Sequence, residues 1–432
     1  MAMSNDRDGR MTARHRRQMT VALTFLAASL AISVAATSWA LSICIALALR
    51  DRFSADGGNW RRTVLDEPLG ILLGLSLLSA VGAEGSRVKS LGELGETWLW
   101  AIFYIVAWFA AEKATVRRLL TTLCLVGSLV AVYAFIQHHT GIHLFGKPLS
   151  TTSTFSAGSI RYLASAFFSH HQTFANVYLL IFSVALSLSL LPMRLAPRLL
   201  AFAGTAMLGL AVFVSYTRGI WLASLASILF IFANRNRKAF IRVMVIMAVS
   251  LTVMLSIPST YSSRARSIFD LKRNIDRLLI WETSWDMLRD HPILGIGPGM
   301  YRQQQDAYAP QVATVGFSRI HAHNSYLQLA VERGVFALMA FAWLWGVVLR
   351  MAFRSMASMR GRENFRHAAV RGATAGVIGF LIDGLFQNNF GDSEVSALVF
   401  LLAGVIYVFR REGEDPVIVP DAPGGAHATE RT

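Results

Sequence analysis

Runs of apolar residues almost free of charge recur along this chain, near 19–33, 36–49, 68–82, 97–111, 119–137, 172–191, 199–214, 219–233, 240–257, 335–353, 368–386 and 395–409. Several reach about 18 residues, the length at which a helix rising about 1.5 Å per residue crosses about 30 Å of hydrocarbon. The pattern predicts an all-α integral membrane protein with about twelve transmembrane helices. The first two runs are short and suit a tight hairpin; because they form a pair, the orientation of everything after them is unchanged.

Composition agrees: 54% of the residues are hydrophobic and 16% are charged, which sets aside a soluble core. A formal charge of +15 would ordinarily suggest nucleic acid, but in a membrane protein excess Lys and Arg also fixes topology. Alternating the runs from a cytoplasmic N-terminus puts 27 of the 41 Lys and Arg residues in 1–18, 50–67, 112–118, 192–198, 234–242, 350–371 and 410–432. The opposite assignment would translocate Arg235, Arg237, Lys238 and the group Arg350 to Arg366. The charge is therefore read as a topology signal, with no nucleic-acid partner expected. Segment 1–18 is read as an uncleaved cytoplasmic tail, since the run after it lacks a clear cleavage site, and 410–432 as a cytoplasmic, disordered tail. Cys44 and Cys124 both lie in apolar runs, where they are expected as buried small hydrophobes, and they supply neither a disulfide framework nor a metal site.

The same alternation leaves outside 83–96, 138–171, the turn around Thr217 and Arg218, the long stretch 258–334, and 387–394, so chemistry is sought there. Between the spans of 19–257 and those of 335–409, the long stretch holds Ile275 to Asp290, where Leu278, Trp281, Trp285 and Leu288 recur at spacings of three and four. That stripe predicts an amphipathic helix at the membrane interface, ended by His291, Pro292 and the glycines at 295, 297 and 299. Arg161 follows a Ser, Thr and Gly-rich loop, Arg218 lies in a turn with almost no loop, and Arg277 opens the Trp-bearing helix. Each alone reads as an interfacial anchor. Together they would form a fixed cationic pocket for a phosphate or diphosphate, since a guanidinium stays charged and binds oxyanions in bidentate fashion.

His321 and His323 end the long stretch, just before Asn324 and Ser325, either of which suits a helix N-cap. His323 would then stand at the top of a helix on the outer side, either as a surface residue or as a base, for which an ordinary imidazole pKa near 6.5 is suited. Glu332, Arg333 and Gly334 interrupt the apolar pattern, predicting a short outer helix, a bend, then a span. His170 and His171 stand at the start of a span. Asp392 reads first as a helix cap and second as an orienting or substrate-binding group. Glu282 and Asp286 lack a further acidic or His partner at ligand spacing, so no metal site is expected.

These residues together resemble the O-antigen ligases of lipopolysaccharide assembly, within the larger group that includes O-antigen polymerases and O-oligosaccharyltransferases. His323, Asn324 and Gly334 fit the ligase signature, while Ala337 departs from its last position. Arg161 before Phe167-Phe168-Ser169-His170-His171, the turn from Thr217 to Trp221, and Arg277 with Trp281 followed by 291–297 look similar too. The resemblance implies a fold like that of the type C glycosyltransferases. It also implies an inner-membrane enzyme that transfers polysaccharide from undecaprenyl diphosphate to a sugar hydroxyl of lipid A core on the periplasmic face, without metal, nucleotide or other cofactor. His323 resembles the catalytic histidine, and Arg161, Arg218 and Arg277 resemble the arginines that hold the diphosphate; Asn324, His321, His171 and Asp392 are secondary candidates. An O-antigen polymerase or a protein O-oligosaccharyltransferase shares the donor, a lipid-linked sugar transporter would form no bond, and a scaffold would use its arginines only on headgroups. Membrane lipids are partners in every case, and the sequence does not indicate the oligomeric state.

Overall fold

The computed structural model describes residues 13–53, 62–144, 162–257, 259–266, 275–308 and 321–410. The helices in chain order are α1 (Ala13–Leu30), α2 (Val34–Arg52), α3 (Asp66–Val81), α4 (Arg87–Glu93), α5 (Ala101–Phe109, preceded by a 3₁₀ turn Leu94–Trp100), α6 (Lys113–Thr140), α7 (His171–Ser189) and α8 (Leu195–Val214). They continue as α9 (Arg218–Ala233), α10 (Arg237–Ser256), α11 (Thr260–Arg266), α12 (Ile275–Asp290), α13 (Tyr301–Tyr308), α14 (Ser325–Ser358), α15 (Phe365–Asp383) and α16 (Ser393–Val408). Every apolar run of the sequence falls on one of these helices, and six of the described helices are long and apolar enough to cross a membrane. In hydrocarbon a helix satisfies its own backbone polar groups, so long apolar runs have little alternative. Buried hydroxyls follow the same logic by bonding back one turn, as Ser183 does to Leu179 O and Thr374 to Val370 O.

Helices α7, α15 and α16 are almost wholly buried, whereas α10 buries no residue and turns Met244, Ile246 and Val249 outward. What lets α15 sit at the centre is a face of small residues: a Cβ on Gly376 would lie 2.9 Å from Leu402 Cδ1, and one on Gly379 would lie 2.6 Å from Ser227 Oγ. Without a hydrophobic drive between helices in lipid, such close backbone approach with interhelical hydrogen bonds supplies the association. Ser187 Oγ donates to Ala368 O and Ser227 Oγ to Ala375 O.

The polar ends segregate. Arg16 pairs with Glu112 and Arg366 donates to Arg410 O, each joining two segments of the Lys- and Arg-rich set, and Arg235 donates to Leu190 O at the end of α7. On the other end, Ser79 Oγ donates to Glu332 O, Glu84 N to Ile296 O, and Thr173 Oγ1 to Asp392. That end carries a small second core of Ala83, Met287, Ile296, Met300, Tyr301, Ala322 and Val331. Two expectations change. Cys44 is buried, but Cys124 is only half-buried on α6. The spans are not free of charge: Arg371 and Asp383 are fully buried near opposite ends of α15, Arg371 paired with Glu363 at 2.8 Å.

Candidate functional site

The site is built around an interruption of α14. The segment Ser325 to Ser358 is two helices joined across a kink at Gly334, with φ 82° and ψ 168°. The turn after α12 fills the break: Pro292 O accepts from Val335 N, while Ile296 N and Gly297 N donate to Val331 O and Glu332 O. These bonds satisfy the backbone groups that a broken helix leaves unpaired. A Cβ at 334 would lie 1.9 Å from Ile293 O, so the close approach requires glycine. The glycine-rich turn and the bend are thus one feature, and it separates a short outer helix from the span.

The outer helix carries the histidines. Asn324 caps it, its Oδ1 accepting from Tyr326 N at 2.9 Å and Leu327 N at 3.0 Å. Immediately before the cap, His323 adopts φ 51°, a left-handed conformation that a residue with a Cβ disfavours. Its neighbours hold it there: Ala322 N donates to Gln328 Oε1 at 2.7 Å, Trp281 Nε1 donates to Ala322 O at 3.0 Å, and His323 N donates to His321 Nδ1 at 3.1 Å. The two imidazoles stand 4.2 Å apart. Because His321 Nδ1 accepts, its Nε2 carries the proton in the neutral ring. Burial, then the fields of His323, Arg277 and His170, push the His321 pKa down to about 3.

The loop 384–392 stitches this helix to α15. Ser325 N donates to Gly384 O at 2.7 Å, and Ser325 Oγ lies 3.0 Å from Gln387 O and 2.9 Å from Asn389 Oδ1. Asn389 Nδ2 reaches Phe380 O at 2.8 Å and Asp383 Oδ2 at 3.4 Å. Asp383 in turn lies against the start of α9: a Cβ on Gly219, next to Arg218, would sit 2.6 Å from its Oδ1. Arg277 acts electrostatically on both Asp383 and His321. One buried carboxylate is therefore flanked by the segments carrying two of the expected arginines, Arg218 and Arg277, with the histidines adjoining. Arg161 lies outside the described residues. His171 is the first residue of α7, and its neighbour His170 acts on His321.

His321 lines a cavity of about 430 Å³ of mixed charge, with Glu93, Glu96, Glu332 and Asp392 alongside Arg302 and Arg333 and the ring of Trp100. Asp392 occupies the N-cap position of α16 but its carboxylate makes no cap; it accepts from Thr173 Oγ1 at 2.8 Å instead. Burial, with Glu394 and Glu96 nearby, pushes its pKa up to about 7 against that hydrogen bond. Burial also raises Glu96. His321 thus joins the arginine-bearing segments to a cavity in which carboxylates and guanidinium groups both face the space.

Three described non-glycine residues have left-handed backbones: Ala166, Tyr216 and His323. Strained backbone of this kind gathers at functional sites. Ala166 follows Arg161 by five residues, and Tyr216 precedes Arg218 by two. Ala166 is held by Gln137, which accepts from its N at 2.8 Å and donates to its O at 3.1 Å.

Residues 203–342 match the family model described as O-antigen ligase. Through this segment the chain is similar to the O-antigen ligases. The ligase-family segment runs from α8 into α14, and so carries Arg218, Arg277, the glycine-rich turn, His321, His323 and Gly334. The match supports glycosyl transfer of the ligase or polymerase type at the level of the family. No curated protein matches the chain. Outside the segment lie Asp383 and Asn389, both absent from the sequence expectations. Asp383 had a readable signal, a lone carboxylate near the end of an apolar run, where an ionisable residue in a membrane helix marks function. Gln328 and Asn389, uncharged and patternless, had none.

Proposed function

We infer that the protein is an O-antigen ligase, transferring polysaccharide from undecaprenyl diphosphate to a sugar hydroxyl of lipid A core on the periplasmic side of the inner membrane. The observation that carries this reading is His323, held in a left-handed turn beside the arginine-bearing segments and 4.2 Å from the ring of His321, which lines the cavity. Two substrates fit these groups. The donor's diphosphate needs fixed cations, which Arg218 and Arg277 supply, with Arg161 assigned the same role on sequence grounds. The acceptor is rich in hydroxyl groups, and carboxylates, amides and the Trp100 ring are groups that bind sugars.

In the transfer, the acceptor hydroxyl oxygen attacks the anomeric carbon of the donor, and its proton passes to the His323 imidazole. The bond from that carbon to the diphosphate oxygen breaks, and undecaprenyl diphosphate leaves with the bonding pair, inverting the configuration. A diphosphate is a competent leaving group once its growing charge is met by guanidinium groups. The neutral His321 and the Asn324 cap hold the turn from which His323 works.

The test is reconstitution of the purified protein with undecaprenyl-diphosphate-linked glycan and lipid A core. The expected result is a shifted lipopolysaccharide band that disappears in His323→Ala. Lengthening of the donor glycan, or glycosylation of an added protein, in place of that band would move the assignment to a polymerase or an O-oligosaccharyltransferase. Loss of Arg218 or Arg277 should cost about 10²–10³ in rate, as for a lost oxyanion donor.

A further inference from the structure

The turn that presents Arg218 is aromatic: Phe213, Tyr216 and Trp221 surround it within nine residues. In the fold these rings and two from elsewhere form a column. Trp221 stacks on Phe213 with centroids 5.2 Å apart, Phe213 on Tyr261 of α11 at 4.7 Å, and Tyr261 on Tyr216 at 4.7 Å, all within 17° of parallel. The His138 ring lies 5.7 Å beyond Tyr216. Tyr261 is therefore sandwiched, and Tyr216 has a ring on either side.

The ends of the column are fixed by hydrogen bonds. Trp221 Nε1 donates to Phe213 O at 3.1 Å. His138 Nδ1 lies 2.7 Å from Tyr162 O, to which it donates, leaving Nε2 to accept from the Tyr261 hydroxyl at 3.4 Å. The column thus ties the α8–α9 turn to the backbone following Arg161 and to the start of the long outer stretch. Aromatic belts of membrane proteins face the headgroups. Tyr216 does not, being 3% exposed.

Tyr216 also adopts φ 57°, which disfavours any residue with a Cβ, and Arg218 begins α9 two residues later. A strained turn persists only when its surroundings over-determine it, and here the surroundings are the rings of Tyr261 and His138. We propose that Tyr216 and Tyr261 are positioning residues, whose stacking fixes the α8–α9 turn and thereby aims Arg218 at the donor's diphosphate. This rests on the ligase reading, in which Arg218 binds the diphosphate.

The experiment measures steady-state transfer with full-length protein in proteoliposomes, varying donor and acceptor separately. Tyr261→Ala should raise the donor KM about tenfold, the scale of one lost stacked pair, and leave the acceptor KM unchanged. Tyr261→Phe, which keeps the ring and loses only the 3.4 Å bond to His138, should be far less impaired than Tyr261→Ala, and Tyr216→Gly, which permits the left-handed backbone without the ring, should resemble Tyr261→Ala. In an Arg218→Ala background, Tyr261→Ala should add no further loss. If Tyr261→Ala does not fold, Tyr261→Leu replaces it, filling much of the volume with no ring to stack. An equal loss from the Tyr261 change with and without Arg218, or a Tyr261→Phe protein as impaired as the alanine variant, would overturn the positioning role alone. An Arg218→Ala protein with wild-type kcat and wild-type donor KM would overturn the ligase reading's use of Arg218, and the positioning role with it.

Discussion

His323 holds a backbone conformation about 1–2 kcal/mol less favourable than a right-handed one, so its position depends on the bonds around it. Gln328 accepts the Ala322 amide from inside the outer helix, and leaving a buried amide unpaired costs about 1–3 kcal/mol. Gln328→Met, similar in size but without an acceptor amide, should lower kcat about ten- to a hundredfold, the rate equivalent of that cost, with little change in donor KM. A Gln328→Met enzyme with wild-type kcat would show that the turn holds without that bond. His321 offers a separate test through stability. In the unfolded chain its imidazole titrates near 6.5, whereas the folded protein holds it near 3, chiefly through burial. Between those values the unfolded chain binds a proton that the folded one refuses, so stability falls as pH drops from about 6.5 toward 3, and is unaffected above. His321→Asn should flatten the thermal midpoint over that window; parallel curves for the two proteins would refute the assignment. His321 stays neutral near pH 7, so it does not set the acid limb of the activity profile. Both histidines could be read in the sequence because they are polar residues at the head of an apolar run. Gln328 could not, since its role depends on the left-handed turn that it stabilises.

At the scale of elements, the bend in α14 and the turn after α12 depend on each other. The interrupted pattern at Glu332, Arg333 and Gly334 predicted the bend, and the prolines and glycines of 291–299 predicted a turn, but their interlocking is a tertiary fact that neither pattern contains. The two glycines of α14 separate the roles. At Gly334, φ 82° and a Cβ contact of 1.9 Å with Ile293 O leave no place for alanine; at Gly346, nothing lies within 4 Å. Gly346→Ala should leave the protein folded and as stable or up to about 1 kcal/mol more so, from helix propensity alone. Gly334→Ala should displace the turn, exposing the small outer core around Met287 and Ile296, and lower the thermal midpoint with loss of transfer activity. Limited proteolysis within 291–299 reads the displacement directly. If Gly334→Ala is as resistant as Gly346→Ala, the bend does not depend on glycine. The Trp-bearing helix shows a similar division. Its boundaries were legible, but the face it buries is Ile280, Thr283, Ser284 and Met287 and not the expected stripe: Trp281 turns to Ala322 O while Leu278 and Trp285 remain 49% and 63% exposed, because the second core packs on Met287.

For the whole molecule, the alternation of apolar runs and the distribution of Lys and Arg assign every polar segment to a side, and four contacts of the fold join stretches at the same end. Arg366 meets Phe409 and Arg235 meets Leu190 at one end; Glu84 meets Ile296 and Thr173 meets Asp392 at the other. Contact alone does not say which end faces the cytoplasm, and there the positive charges decide. Arg360 and Arg362 lie exposed in the turn between α14 and α15, while Glu282 and Asp286 are exposed on α12 at the histidine end. In a chain with Cys44 and Cys124 replaced by alanine, Glu282→Cys should react with a membrane-impermeant maleimide in intact cells. Arg362→Cys should react only after the inner membrane is opened. Cys44 is buried and acts as a small apolar side chain, so its removal leaves the helices where they are. The reverse labelling pattern would put His323 and the arginines on the cytoplasmic side, opposite the periplasmic acceptor, and the ligase mechanism could not stand. Labelling of both positions from one side would instead break the alternation of spans between α12 and α15, which joins the histidine-bearing outer helix to the span of α14 through Gly334.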